Sequence, residues 1–431
     1  MMRRLDAADA GFASQLDALL NLSLREDPGV TAAVADIIDA VRTDGDAALV
    51  ALTEKFDGFA PADAAALEVT ADEIAAAFAS LPEQTRQALR TAHERVHAYH
   101  ERQATEDLSF EDAHGNRLGQ RWTPVDRAGV YVPGGRAAYP SSVLMTVTIA
   151  KCAGVGEVVL VVPTPKGERN ASVLAAAHVA GADRVFTVGG AQAIAALAFG
   201  TATIPRVDTI VGPGNAYVAA AKRQVFGQVG IDSIAGPSEV LVIADASAPA
   251  DWVALDLFSQ AEHDEAAQAL LISDDAAVLD AMQDAMDRLL DEQPRRAIIE
   301  ASLRARGGMI LVADLNEAVS VANRVAAEHL ELMVRDPHAL LPDIRHAGAI
   351  FLGHRTAEVL GDYVAGPSHV LPTYGTARFS SPLSVYDFKK RSSVIDLTPQ
   401  GAAALAATAQ HLAEVEGLTA HAMAAAARRT N

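Results

Sequence analysis

The chain has little with which to cross-link itself, grip a polyanion or span a membrane. One cysteine, Cys152, stands among 431 residues, so no intramolecular disulfide can form and a secreted, oxidised class is not indicated. Basic residues are in deficit, 35 against 55 acidic ones, for a formal charge of −20. That field repels phosphate backbones and anionic lipid, so neither nucleic acid nor a membrane surface is expected as a partner. The longest uncharged run, residues 185–205, is broken by Gly189, Gly190, Gln192, Gly200 and Pro205. These divide it into strand, turn and helix instead of a bilayer-length segment. Residues 1–6 carry Arg3 and Arg4 without the apolar core of a secretory leader, so a cytoplasmic chain is expected. Also missing is any G-x-G-x-x-G, so dinucleotide binding cannot be read from that fingerprint.

What is present is alternation. Helical periodicity covers residues 33–56 and 71–103, and an extended pattern follows over 110–132 with a turn at His114-Gly115-Asn116. From about 130 the chain repeats a short unit: strands at 158–162, 184–188 and 208–211, helices at 171–180, 191–198 and 216–226. A second set follows, with strands at 240–244, 269–273, 309–312 and 330–334 and helices at 250–263 and 315–327. Apolar strands alternating with alanine-rich helices predict parallel sheets covered on both faces. The last fifty residues read as helical after Leu397, too short for a core of their own.

Several short motifs carry chemistry, each with a plainer reading beside it. Gly189-Gly190-Ala191-Gln192 and Gly212-Pro213-Gly214-Asn215 each follow a strand and open a helix, where backbone N–H groups can meet an anion; tight strand–helix turns look the same. His93-Glu94-Arg95-Val96-His97 matches the H-E-x-x-H pattern of zinc hydrolases, but its polar surroundings fit a solvated helix face better. Gln260 and His263 lie three apart at a helix end and share one face. Glu328-His329, at a helix-to-strand junction, sets a carboxylate beside an imidazole, suitable for acid–base work; solvent-facing polar residues at a helix end are the alternative. Cys152 has no base nearby in sequence and reads as buried filler.

Longer runs decide among these. The segment 231–240, continuing through Ser259-Gln260-Ala261-Glu262-His263, closely resembles the signature of the histidinol dehydrogenase family. So do Gly129-Val130-Tyr131-Val132-Pro133-Gly134-Gly135, the Gly212–Asn215 turn, Ala327-Glu328-His329-Leu330-Glu331 and residues 366–373. Ala377-Arg378-Phe379-Ser380-Ser381 and Glu416-Gly417-Leu418-Thr419-Ala420-His421 complete a likeness that runs in order over nearly the whole chain. Tyr374, where glycine is expected, and Pro382 depart from the pattern.

The resemblance implies an α/β fold of two Rossmann-like domains with a small helical C-terminal segment. It implies a helical segment at 1–22, a first domain from 23–129 and 237–381, a second, NAD-binding domain at 130–236, and a dimerisation tail at 382–431. It implies one zinc per subunit, with manganese as the other candidate, held by Gln260, His263, Asp362 and His421. Glu328 and His329 are implied as the catalytic pair, and Ser238, His369 and Glu416, with His329 and the metal ligands, as substrate contacts. Tyr131, Gln192 and Asn215 would contact NAD. The implied reaction oxidises L-histidinol through the aldehyde to L-histidine with two NAD. The implied assembly is a homodimer exchanging tails, so that His421 serves the neighbouring site. A relative acting on another small diol or amino alcohol, a zinc hydrolase on His93, Glu94 and His97, and a non-catalytic binding protein are the competing expectations.

Overall fold

The computed structural model describes residues 2–20, 27–103, 105–134 and 139–429; Gly135 of the quoted motif and residues 21–26 at the first expected domain boundary lie outside these. Two six-stranded sheets dominate, and both have the same strand order. The inserted sheet runs Glu68–Val69, Arg184–Phe186, Glu157–Val161, Arg127–Tyr131, Thr209–Val211 and Gly230–Ile231. The flanking sheet runs Arg3–Asp6, Gly308–Leu311, Gln268–Ser273, Glu239–Ala244, His329–Met333 and Ala349–Leu352. Numbered within its unit, each reads 3-2-1-4-5, the doubly wound order, with one additional strand beyond strand 3. That strand is parallel in the flanking sheet and antiparallel in the inserted one. The chain therefore reverses direction between Arg127–Tyr131 and Thr209–Val211, and again between Glu239–Ala244 and His329–Met333. Such switch points are where open α/β sheets leave a crevice.

The strands are apolar because helices cover both faces. Residues Val240, Leu241, Val242, Ile243 and Ala244 are all at least 99% buried. The helix Ala171–Ala180 begins where Asn170 caps Ser172 and Val173 and ends at the left-handed Gly181, the sequence signals of helix start and stop.

Helices Pro28–Asp44, Ala71–Ser80 and Glu83–His100 pack against helices of the inserted sheet, not the flanking one. Val34, Ile37 and Val41 share an apolar cluster with Ile194, Leu197 and Val218, while Ile74, Leu89 and Val96 join Val147, Ile149 and Val173. Burial of those faces decides the partner, and Glu68–Val69 adds backbone pairing with Val185 and Phe186. Arg3–Asp6 is an edge strand of the flanking sheet.

The expected turn at 114–116 joins Leu108–Glu111 to Arg117–Pro124, and Lys389–Asp396 pairs antiparallel with the latter along eight residues. The tail thus opens with a strand before helices Pro399–Val415 and Thr419–Ala426.

Candidate active site

The flanking sheet presents its amino ends to the carboxyl ends of the inserted sheet, and a cavity of about 770 Å³ lies where they meet. Glu239 and His329 are the first residues of adjacent parallel strands, with Val240 in register with His329. Helix Ala250–Ala261 returns from the far end of its strand, so its last turn delivers Gln260 and then His263 to the same edge. From the other side, Gly214 and Asn215 line the cavity directly after strand Thr209–Val211. Ser238, His263, Glu328, His329, Asp362 and His369 line it as well.

His329 is buried with its two nitrogens in different settings. Nδ1 lies 3.0 Å from the carbonyl oxygen of Glu239. A carbonyl can only accept, so Nδ1 carries the proton in the neutral ring and Nε2 carries the lone pair. Nε2 is buried 3.6 Å from Asp362 Oδ1 and has no hydrogen-bond partner among the described residues. Glu328 Oε2 accepts the N–H of Glu239 at 2.9 Å and sits 3.8 Å from His329 Nδ1. Burial pushes the Glu328 carboxyl up to about 8 and that of Glu239 up to about 7. Burial works against a charged His329, but Glu358 and Glu328 outweigh it and hold its pKa above the ordinary range.

The donors around the ring converge. The Gln260 amide lies 3.2 Å from His263 Nδ1, and its Oε1 is buried with no hydrogen-bond partner among the described residues. His263 Nδ1 is 3.4 Å from Ser238 Oγ, and burial lowers its pKa, leaving the neutral form that ligates metals. Asp362, from the short helix Glu358–Tyr363, is kept below the usual carboxylate range: burial is outweighed by His329, His369 and His263. His369 donates through Nδ1 to the Asp362 carbonyl at 3.0 Å and meets Ser142 Oγ through Nε2 at 3.3 Å; burial keeps it neutral. One atom each of His329, Glu358 and Asp362 lie within 4.8 Å of one another. Orphaned Gln260 Oε1, the neutral His263 imidazole and the ionised Asp362 carboxylate form a nitrogen-and-oxygen donor set that suits a zinc-like cation.

The opposite wall is a fastened glycine turn. Asn215 caps helix Ala216–Val225 by accepting from Tyr217 N and Val218 N. Beneath it, Lys222 and Asp232 form a buried ion pair. Lys222 Nζ donates to the Gly212 carbonyl at 3.0 Å, and Asp232 Oδ2 accepts the Gly212 N–H at 2.7 Å. The sequence reading missed this pair; a lysine in an otherwise apolar helix face ten residues before an aspartate was its only signal. Tyr131 and Gln192, at the carboxyl end of the same sheet, are buried and stand outside the cavity wall. The Tyr131 hydroxyl accepts the Gly190 N–H at 3.2 Å, and burial pushes it up to about 12.

Not every expected residue meets here. Glu416 and His421 are exposed on the tail and do not line the cavity. The H-E-x-x-H helix gathers no metal cluster among the described residues. His93 instead meets Thr148 Oγ1 at 3.0 Å, and Cys152 is half-buried with its thiol near the His97 carbonyl. Tyr374, the departure from the pattern, holds a left-handed φ of 56°, the conformation glycine would adopt without strain. Glu358, Glu331 and Asp256 were also missed, because buried acids leave no mark in a periodicity count.

The profile of the histidinol dehydrogenase family matches residues 22–429. The histidinol dehydrogenase of Pseudomonas syringae pv. tomato is 59% identical over 430 residues, covering 100% of this chain and 96% of the relative. That of Methylococcus capsulatus is 60% identical over 424 residues, 98% of this chain and 97% of the relative. The crystal structure of histidinol dehydrogenase from Elizabethkingia anophelis superposes with a TM-score of 0.93 at 33% identity, covering 99% of this chain and 98% of that one. With the whole length matched and the cavity's donors at the motif positions, the chain belongs to the histidinol dehydrogenase family.

Proposed function

We propose that the chain oxidises L-histidinol to L-histidine at the cavity around His329, using zinc and two NAD, in a homodimer in the cytoplasm. One observation carries the reading: Nδ1 of His329 is locked by the Glu239 carbonyl, leaving Nε2 buried 3.6 Å from Asp362 Oδ1 and, among the described residues, without a hydrogen-bond partner. Gln260, His263 and Asp362 would hold the zinc, joined by His421 of the partner subunit. Ser238, His369 and the partner's Glu416 would contact the substrate, and Tyr131, Gln192 and Asn215 the NAD. When bound, zinc would anchor the substrate's imidazole and amino nitrogens, and NAD would accept hydride in each of two oxidations.

The chain's own groups manage protons and water. His329 Nε2 takes the alcohol proton as the aldehyde forms. Glu328, once ionised, takes a proton from the water that attacks the aldehyde carbon, and a second oxidation of that hydrate gives the carboxylate. One alcohol and one water therefore yield a carboxylate, two NADH and three protons. Two bases in one pocket fit a reaction that must deprotonate first an alcohol and then a water. Ile395, Val415 and Met423, exposed at 70%, 72% and 69%, leave the tail with an apolar surface that a second copy would cover.

Purified protein given L-histidinol and NAD is the test. Two NADH per histidine formed is the expected count; a count of one, or free aldehyde accumulating, overturns the two-step reading.

A further inference from the structure

Strand Glu239–Ala244 is buried throughout, and its first side chain is a carboxyl in an otherwise apolar run. An acid in such a place costs stability unless its oxygens are engaged. The main chain of Glu239 already serves the two proposed bases: its N–H donates to Glu328 Oε2 at 2.9 Å, and its carbonyl accepts from His329 Nδ1 at 3.0 Å. Neither contact needs a particular side chain. The side chain reaches elsewhere, to a turn 135 residues on, where Oε1 accepts the Tyr374 N–H at 3.1 Å. That turn is closed by the Thr376 N–H on the Thr373 carbonyl at 3.0 Å. Its two central residues, Tyr374 and Gly375, have φ of 56° and 67°, a pairing that glycine and asparagine adopt readily and an aromatic residue does not.

A strained residue persists only where its surroundings fix it. Two contacts fix Tyr374: the Glu239 carboxyl on its N–H, and Gly236 beneath its ring, where a Cβ would come within 1.9 Å. The neighbouring Thr373 Oγ1 accepts the Gly236 N–H at 2.7 Å. Gly236 stands two residues before Ser238, and Gly236, Ser238, Thr373 and Tyr374 all line the cavity, whereas Glu239 does not. We propose that the Glu239 side chain is a positioning residue. It holds the Tyr374 N–H, fixes the strained turn, and through Thr373 and the Tyr374 ring sets the wall from Gly236 to Ser238 against which the substrate lies. This rests on the reading of Ser238, Glu328 and His329 as the site. One residue thereby registers both sides of the pocket, the bases through its main chain and the substrate wall through its carboxyl.

The test compares wild type with Glu239→Gln, which keeps an oxygen acceptor, and Glu239→Leu, which does not. Glu239→Leu should raise KM for L-histidinol about tenfold, the worth of one lost hydrogen bond, with kcat changed far less and two NADH still formed per histidine. Glu239→Gln should stay near wild type. In a Tyr374→Gly background, where the turn carries no strain, Glu239→Leu should raise KM much less. Hydrogen exchange without substrate or zinc should show the Tyr374 and Gly236 amides losing protection in Glu239→Leu and keeping it in Glu239→Gln. If Glu239→Leu does not fold, Thr373→Val cuts the same path further along: the Gly236 amide should lose protection and KM should rise. An unchanged KM in the folded leucine or valine variant overturns the proposal, as does a glutamine variant as impaired as leucine. So does an equal KM rise in the Tyr374→Gly background. A wild-type protein that leaves L-histidinol unoxidised, yet shows the exchange differences, sinks the reading of the site and upholds the hold of Glu239 on the turn.

Discussion

The carbonyl oxygen of Glu239 sits 3.0 Å from Nδ1 of His329, so the backbone of one strand sets the tautomer of a base on its neighbour. Because the bond is to main chain, no substitution at 239 removes it directly. His329→Asn should then lower kcat for L-histidinol by about 10²–10⁴ with little change in fold. Glu328→Gln should spare alcohol oxidation and stop the step that needs water. The check is the ratio of NADH to L-histidinol consumed, which should fall from two toward one. Equal loss of both oxidations in Glu328→Gln would contradict the division of labour.

Metal-free protein should become less stable as pH rises. Glu239, Glu328 and Glu358 are pushed by burial to about 7, 8 and 8 from an ordinary 4.5. A folded chain that keeps protons the unfolded chain has lost releases them on unfolding, so raising the pH favours unfolding. The window runs from the ordinary carboxyl value, 4.5, up to about 8. Zinc, binding the folded state, should raise the melting temperature more at the top of that window than at its foot. Calorimetry with and without zinc checks both; a melting temperature that climbs with pH in the metal-free protein is the contrary result.

Lys222→Met should destabilise the protein by about 3–5 kcal/mol, because it leaves Asp232 as an uncompensated buried charge. The Gly212–Asn215 turn, fastened by that pair, should loosen as well. The expected kinetic mark is a higher KM for NAD with the KM for L-histidinol little changed.

Gly236 and Tyr374 should behave as a coupled pair. A Cβ at Gly236 would lie 1.9 Å from the Tyr374 ring, so Gly236→Ala should cost about 1–3 kcal/mol. Tyr374→Gly removes both the ring and the left-handed strain at 374. The double variant should recover most of the loss in denaturant titrations; simple additivity would contradict the contact.

Much of the fold was legible where local signals agree. The helix at 171–180 coincides with its prediction because cap, apolar face and closing glycine all fall within residues 170–181. Edge strands were not legible. Glu68–Val69 is two residues long, and Lys389–Asp396 is exposed along nearly its whole length, so neither has an alternating pattern to read. Their conformation comes from partners over a hundred residues away. At the site, Gln260 with His263 and Glu328 with His329 were visible as short spacings, yet only the longer family runs raised them above helix-end polarity. Asp362 has no spacing relation to them at all. Burial of Asp256, Glu331 and Glu358 arises where elements distant in the chain come together, which no window along the chain records.

The proposed site is built around His329 in one subunit and completed by the tail of another. Mixing His421→Ala chains with His329→Asn chains tests this directly, each being inactive alone. In a mixed dimer the subunit with intact His329 receives the partner's His421, restoring one site in two. After random reassociation about a quarter of wild-type activity is predicted. No recovery, with dimer exchange verified, would place His421 in its own subunit's site or in none, and contradict the account.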